Sequence, residues 1–152
     1  MTDKTPGEAL FVEDAIEQVS HRVSPDTPLT AVIDAIVRRH VGAVPVVGEG
    51  SEVLGIITSG DALNQMMRGS ANEDDTPIEE RLTARDVMTR TVLCVSEGQS
   101  LVEAAHMMVN KKVEQLPVVR DGELVGMITR SKVLRALHLG TLDTQSEGEG
   151  TS

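Results

Sequence analysis

The chain contains no tryptophan and no tyrosine, and Phe11 is its one aromatic residue. Its core must therefore be aliphatic, built from the Val, Ile, Leu, Ala and Met that supply nearly all of the 39% hydrophobic fraction. A lone cysteine, Cys94, excludes an internal disulfide, and its setting in Val-Leu-Cys-Val reads as an inert core thiol. No apolar run approaches the roughly 18 residues of a membrane span. The opening residues, MTDKTPGEAL, lack the basic and apolar regions of a secretory signal, so a soluble cytoplasmic protein is expected.

Cations are scarce as well: 14 Lys and Arg stand against 24 Asp and Glu, a net charge of −10. Such a surface repels a phosphate backbone and argues against general nucleic-acid binding. His21, His40, His106 and His138 show no paired metal-ligand spacing, so no metal is expected. Walker loop, nucleophile elbow and dinucleotide fingerprint are all missing, and no catalytic residues are expected. Much of the acid lies in the expected tails and linker. Residues 129–142, by contrast, hold Arg130, Lys132 and Arg135 and no acid; the alternatives there are a solvated helix face and a receptor for an anion.

What the chain does have is a repeat. Residues 23–47 and 95–119, 72 positions apart, share eight identities in 25 places and end in Val-Pro-Val-Val and Leu-Pro-Val-Val. Composition alone would give roughly two. The match resumes as GIITSGD (residues 55–61) against GMITRSK (residues 126–132), with Asp61 replaced by Lys132. A chain of 152 residues has room for one body, so two subdomains sharing a core are expected, each marginal alone.

Each copy resolves into strand, helix, strand, strand, helix. The lead strands are expected at residues 19–23 and 92–95. In the first helix, Asp26 or Thr27 caps, Pro28 sits in the first turn, and Leu29, Val32, Ile33, Ile36 and Val37 recur at helical spacing up to residues 40–42. Its counterpart starts at Ser100, with Glu103 completing a capping box and Leu101, Ala104, Ala105, Met108 and Val109 apolar. Hairpins join residues 44–47 to 53–57 and 116–119 to 124–128, the second through Asp121-Gly122. The closing helices are expected to turn Leu63, Met66 and Met67, and Val133, Leu134 and Leu137, inward. The boundaries follow: tail 1–10, repeat one 11–68, acidic linker 69–79, repeat two 80–142, mobile tail 143–152. The fold class is α/β (α+β), two βαββα repeats packed through their sheets with pseudo-twofold symmetry, leaving two related clefts.

These residues resemble a tandem pair of cystathionine-beta-synthase (CBS) domains, the Bateman module, over about residues 12–140. The resemblance is carried by Asp86-Val87-Met88, by the two Pro-Val-Val strands, and by Gly55-Ile56-Ile57-Thr58 and Gly126-Met127-Ile128-Thr129. The first copy departs by reading Asp14-Ala15-Ile16 at its opening. The resemblance implies a regulatory module whose interdomain clefts bind adenosyl compounds (AMP, ADP, ATP or S-adenosylmethionine) as effectors rather than catalytic cofactors.

It further implies that Thr58 and Asp61, in a Gly-h-x-Thr-x-x-Asp pattern with h apolar, hold a ribose: an ionised carboxylate can accept from both hydroxyls of a diol. Thr-x-x-Asp is equally a capping-box spacing, and one residue can serve both roles. Thr91, Val92 and Leu93 are expected to cover the adenine. Glu114 and Gln115 fall where phosphates are often met, so either Arg130 or Lys132 compensates or the ligand carries little negative charge. The second cleft, with Ser20, His21, Gly42, Ala43, Thr129 and Lys132, lacks an acceptor and is expected to be empty, weakly occupied or turned toward phosphate. The leading reading is an adenosyl-sensing homodimer joined through its second-helix faces and acting on an unknown regulated protein. The alternative is a ligand-free dimerisation or protein-interaction module, and a small enzyme is a remote third.

Overall fold

The computed structural model describes residues 10–19, 21–69, 77–90 and 93–150. In chain order these form a 3-10 turn, Val12–Asp14, then α1 (Leu29–Arg39), β1 (Ala43–Val47), β2 (Val53–Thr58) and α2 (Ser59–Gly69). Two short helices follow, α3 (Ile78–Arg81) and α4 (Ala84–Val87), then β3 (Val95–Ser96), α5 (Leu101–Lys111), β4 (Gln115–Arg120), β5 (Glu123–Thr129) and α6 (Arg130–Gly150). The fold is mixed α/β, with a two-stranded sheet β1-β2 and a three-stranded sheet β3-β4-β5.

The repeat is visible in local chemistry. Both first helices end on a residue in the left-handed region, His40 (φ 53°) and Lys112 (φ 56°), each of whose amides bonds back into the last turn. Asp121 and Gly122 both have positive φ, the turn that the hairpin between β4 and β5 requires. At the start of α5, Ser100 Oγ accepts from the Glu103 amide at 3.3 Å. α1 starts otherwise: its N-cap is Pro28, with no side-chain bond. Asp26 instead pairs with Arg85 at 2.9 Å and Thr27 Oγ1 accepts from the Ser24 amide at 3.0 Å, because extended Pro28 stands between them and the helix.

The chain divides into two units that do not coincide with its two repeats. One comprises Val19–Leu93 with Asp121–Leu124; the other takes the described residues up to Gln18, Cys94–Arg120, and the chain from Val125 onward. The lead-in of each repeat is thus built into the other repeat's unit. Ahead of repeat one, the Leu10 carbonyl accepts from Leu101, and Glu17 exchanges two backbone hydrogen bonds with Met127, at 2.8 and 3.0 Å. Ahead of repeat two, the Leu82 carbonyl accepts from Leu29, and Thr89 exchanges two with Ile56, at 2.9 and 3.1 Å. Asp14 and Asp86, 72 apart, each cap the turn that opens such a lead-in, accepting the amides of Phe11 at 2.6 Å and Thr83 at 2.8 Å.

This explains the glycines at 55 and 126, neither of which has a positive φ. A Cβ at Gly55 would lie 2.8 Å from the Thr89 carbonyl oxygen, and one at Gly126 would lie 2.7 Å from that of Glu17. The lead-in backbone occupies the space where a side chain would stand.

One core joins Val23, Leu29, Val32, Ile36, Val44, Val46, Ile57, Ala62 and Ala84, all aliphatic as the missing aromatics require. The other unit buries Val12, Val95, Leu101, Ala104, Met108, Leu116, Val118, Ile128 and Val133. Each fully buried Leu, Val, Ile or Met contributes about 1.5–3 kcal/mol.

Several expectations need correction. The strand expected at residues 19–23 is reduced to one parallel bridge, Val23 to Val46, while its counterpart β3 is two residues long. Pro25 stands where repeat two has Glu97 and has no N–H for the next rung. On the closing helices Val133 is buried as expected and Met66 and Leu137 are half-buried, but Leu63, Met67 and Leu134 are 57%, 59% and 69% exposed, and Ala62 is buried in place of Leu63. α2 and α6 leave their strands without a break, so the strand end sets the helical phase. Val37 and Val109 likewise face solvent. At the C-terminus α6 continues to Gly150 through residues expected as a tail, in a stretch with no proline to stop it. α3 begins inside the expected linker. Residues 1–9, 70–76 and 151–152 of the tails and linker lie outside the described residues.

Candidate functional site

Within the Val19–Leu93 unit, the antiparallel register sets Ala43 opposite Thr58, and the Ser59 amide donates to the Gly42 carbonyl at 2.8 Å. Gly42, Ala43 and Thr58 therefore meet at one end of the hairpin, where α2 begins. Thr58 and Asp61 complete a reciprocal capping box there. The Thr58 amide donates to Asp61 Oδ2 at 2.9 Å, and the Asp61 amide donates to Thr58 Oγ1 at 3.0 Å. The carboxylate is half-buried, held in one orientation, and its Oδ1 makes no hydrogen bond among the described residues. Beside it, a Cβ at Gly60 would meet only Thr58 Oγ1, at 3.7 Å, which leaves the approach to the first turn open. The bridge to Ile56 sets Thr89 on the β2 edge of this unit, and Leu93 is half-buried. Thr91 and Val92, expected here, lie outside the described residues; of the residues expected in the second cleft, Ser20 also lies outside them, His21 is half-buried, and Gly42 and Ala43 stand in this corner beside Thr58.

The second repeat builds the same corner without the acceptor. The Arg130 amide donates to the Glu114 carbonyl at 3.0 Å, so Glu114, Gln115, Thr129, Arg130 and Lys132 gather where β4 starts and α6 begins. The Lys132 amide donates to Thr129 Oγ1 at 3.2 Å, one half of the box. An ammonium has donors only, so the other half cannot form. Arg130 is anchored by its Nε, which donates to the Val113 carbonyl at 3.1 Å, and Glu114 is exposed.

The profile of the CBS domain matches residues 12–68 and 84–139. The chain belongs to the CBS domain family. An uncharacterised protein of Methanopyrus kandleri is 35% identical over 100 residues, 64% of this chain and 48% of that protein; the chain spans about half the length of such curated relatives. Among solved structures, CBSX2, a CBS-pair protein from Arabidopsis thaliana, determined in complex with AMP, is 27% identical with a TM-score of 0.72 over 85% of this chain and 96% of that one. An acetoin utilization protein, AcuB, of Vibrio cholerae is 26% identical with a TM-score of 0.75 over 91% and 96%.

The CBS repeats also show what the aspartates at their openings do, a role that sequence reasoning left unassigned. The Thr83 amide and hydroxyl donate to Asp86 and hold its carboxyl below the ordinary value, so it stays ionised in its cap. The Thr-x-x-Asp spacing at residues 83–86 was the available signal. Arg120 does the same for Glu97 through paired hydrogen bonds at 2.7 and 2.8 Å. Burial pushes the Cys94 thiol up, keeping it protonated. Among the described residues no group of three or more His, Cys, Asp and Glu could hold a metal ion, and no helix is long and apolar enough to cross a membrane.

Proposed function

We propose that this CBS pair is a regulatory module that binds an adenosyl ligand, with Thr58 and Asp61 at the ribose. The observation that carries the reading is the Asp61 carboxylate, oriented by one oxygen and open at the other, in a chain similar to an AMP-bound CBS pair. A diol donates two hydroxyl hydrogens; an oriented carboxylate accepts both without having to be ordered on binding, which lowers the entropic cost. Thr91, Val92 and Leu93 cover the adenine in this reading. A ligand of low charge, AMP or S-adenosylmethionine, is preferred over ATP in this reading, because a chain of net charge −10 repels polyphosphate. The corner with Thr129 and Lys132 takes no ribose. The ligand stabilises one conformation or assembly of a cytoplasmic homodimer that acts on a separate regulated protein, and the shift is limited by the ligand's differential affinity.

A second reading, a ligand-free dimerisation module, is supported by Leu63 and Met67 exposed on α2 and Leu134 exposed on α6. Thermal unfolding with AMP, ADP, ATP and S-adenosylmethionine separates the two. A ligand at 100 times its Kd adds about 2.7 kcal/mol. A shift with AMP that disappears in Asp61→Ala supports the site; a shift that survives the substitution refutes it, and no shift with any of the four supports the second reading.

A further inference from the structure

We propose that a depression in the second unit, walled by Ala15, Ile16 and Leu139 and faced by Lys132 and Arg135, is a binding site for a small anion such as inorganic phosphate. Its volume is about 170 Å³, and Asp14 and Ala136 complete the lining. That is well below the roughly 300 Å³ at which pockets for drug-sized ligands begin, so it admits a phosphate but no nucleotide.

Lys132 and Arg135 are three residues apart on α6 and so share a face, where like charges repel. Neither is in an ion pair among the described residues, in contrast to Arg38, Arg85 and Arg120, which each pair with a carboxylate. Asp14, the one acid of the lining, has Oδ2 committed to the Phe11 amide at 2.6 Å, and the depression keeps a net positive charge. Ala15 and Ile16 form an apolar wall held by packing, while Leu139 is exposed. Ala15 is buried, and Ile16 packs so tightly over Gly126 that a Cβ there would fall 2.6 Å from Ile16 Cγ1.

The repeat supplies an internal control. Repeat one places Asp61 and Asn64 at the positions of Lys132 and Arg135, so nothing in the fold of this helix demands cations there. In a chain of net charge −10, this pair of cations occurs in one copy alone, at the mouth of a depression of phosphate size.

The test is an amide NMR titration of the ¹⁵N-labelled full chain with sodium phosphate, against sodium chloride at matched ionic strength. Saturable shifts centred on Ala15, Ile16, Lys132 and Ala136 are expected. Lys132→Ala and Arg135→Ala should each weaken binding about tenfold, the size of one lost charge-assisted hydrogen bond. Both side chains are exposed, so the variants should retain the spectrum of the folded protein. Asp61→Ala should leave phosphate binding unchanged, which separates this site from the nucleotide reading. Shifts that stay linear in concentration or map elsewhere, or a Lys132→Ala affinity within twofold of the parent, would overturn the proposal.

Discussion

Replacing Gly126 with alanine probes the contact between a lead-in segment and the hairpin it enters. The new Cβ would sit 2.6 and 2.7 Å from Ile16 Cγ1 and Cδ1 and 2.7 Å from the Glu17 carbonyl oxygen. Non-bonded carbons prefer about 3.5–4.0 Å, so the overlap is close to 1 Å on two sides. The Glu17 oxygen cannot retreat, because Glu17 and Met127 are joined by backbone hydrogen bonds in both directions. Overpacking costs about 1–3 kcal/mol, and weakening two backbone bonds adds about 1 kcal/mol. Against this, alanine recovers about 0.4–1 kcal/mol through the unfolded chain. The net expectation is a loss of about 1–3.5 kcal/mol, or roughly 2–14 °C in Tm for a chain of this size. Gly55→Ala should cost less: Met88, with three rotatable bonds, can move aside more readily than β-branched Ile16. Urea unfolding followed by circular dichroism suits a chain without Trp or Tyr. A Gly126→Ala stability within about 0.5 kcal/mol of the parent would refute the steric argument.

Three further outcomes are expected. Lys112→Gly removes a side chain from a left-handed helix end, and should raise stability by about 0.5 kcal/mol in the same urea assay. Asp86 and Glu97 have folded-state pKa values below their ordinary ones, so their stabilisation is present above the unfolded values and lost as pH falls through the folded ones. Melting temperature should accordingly fall below about pH 4.5, with a shallower decline in Asp86→Asn than in the parent. Leu29→Ala and Leu101→Ala, at fully buried equivalent positions of the two repeats, should each cost about 2–5 kcal/mol, and a loss confined to one would contradict two comparably packed cores.

The elements were legible because the signals were local. The hairpins are bracketed by turn residues, Ser100 announces α5, and the 72-residue offset lets each copy confirm the other. Helix phase was only partly legible where apolar residues sit side by side: in Ala62-Leu63 and Val133-Leu134 the first residue is buried and the second exposed, and attachment to β2 and β5 chooses between them. The redistribution of lead-ins was equally hidden, since a sequence repeat records ancestry and order but not which hairpin a segment joins. At the candidate site, Thr58 and Asp61 were readable from spacing, and their reciprocal bonds follow from it. The Lys132 and Arg135 depression was half readable. Their charge showed, but the wall contributed by residues 14–16 comes from more than a hundred positions away.

The crossed membership of the lead-ins bears on how the protein can be divided. Severing the chain at residues 70–76 would separate Glu17 from Met127 and Thr89 from Ile56, leaving each fragment with an open hairpin edge and a stray strap that fits only the other fragment. Such halves should be poorly folded when expressed singly and should reconstitute when mixed. Neither repeat, cut from the other, carries the whole of its own unit.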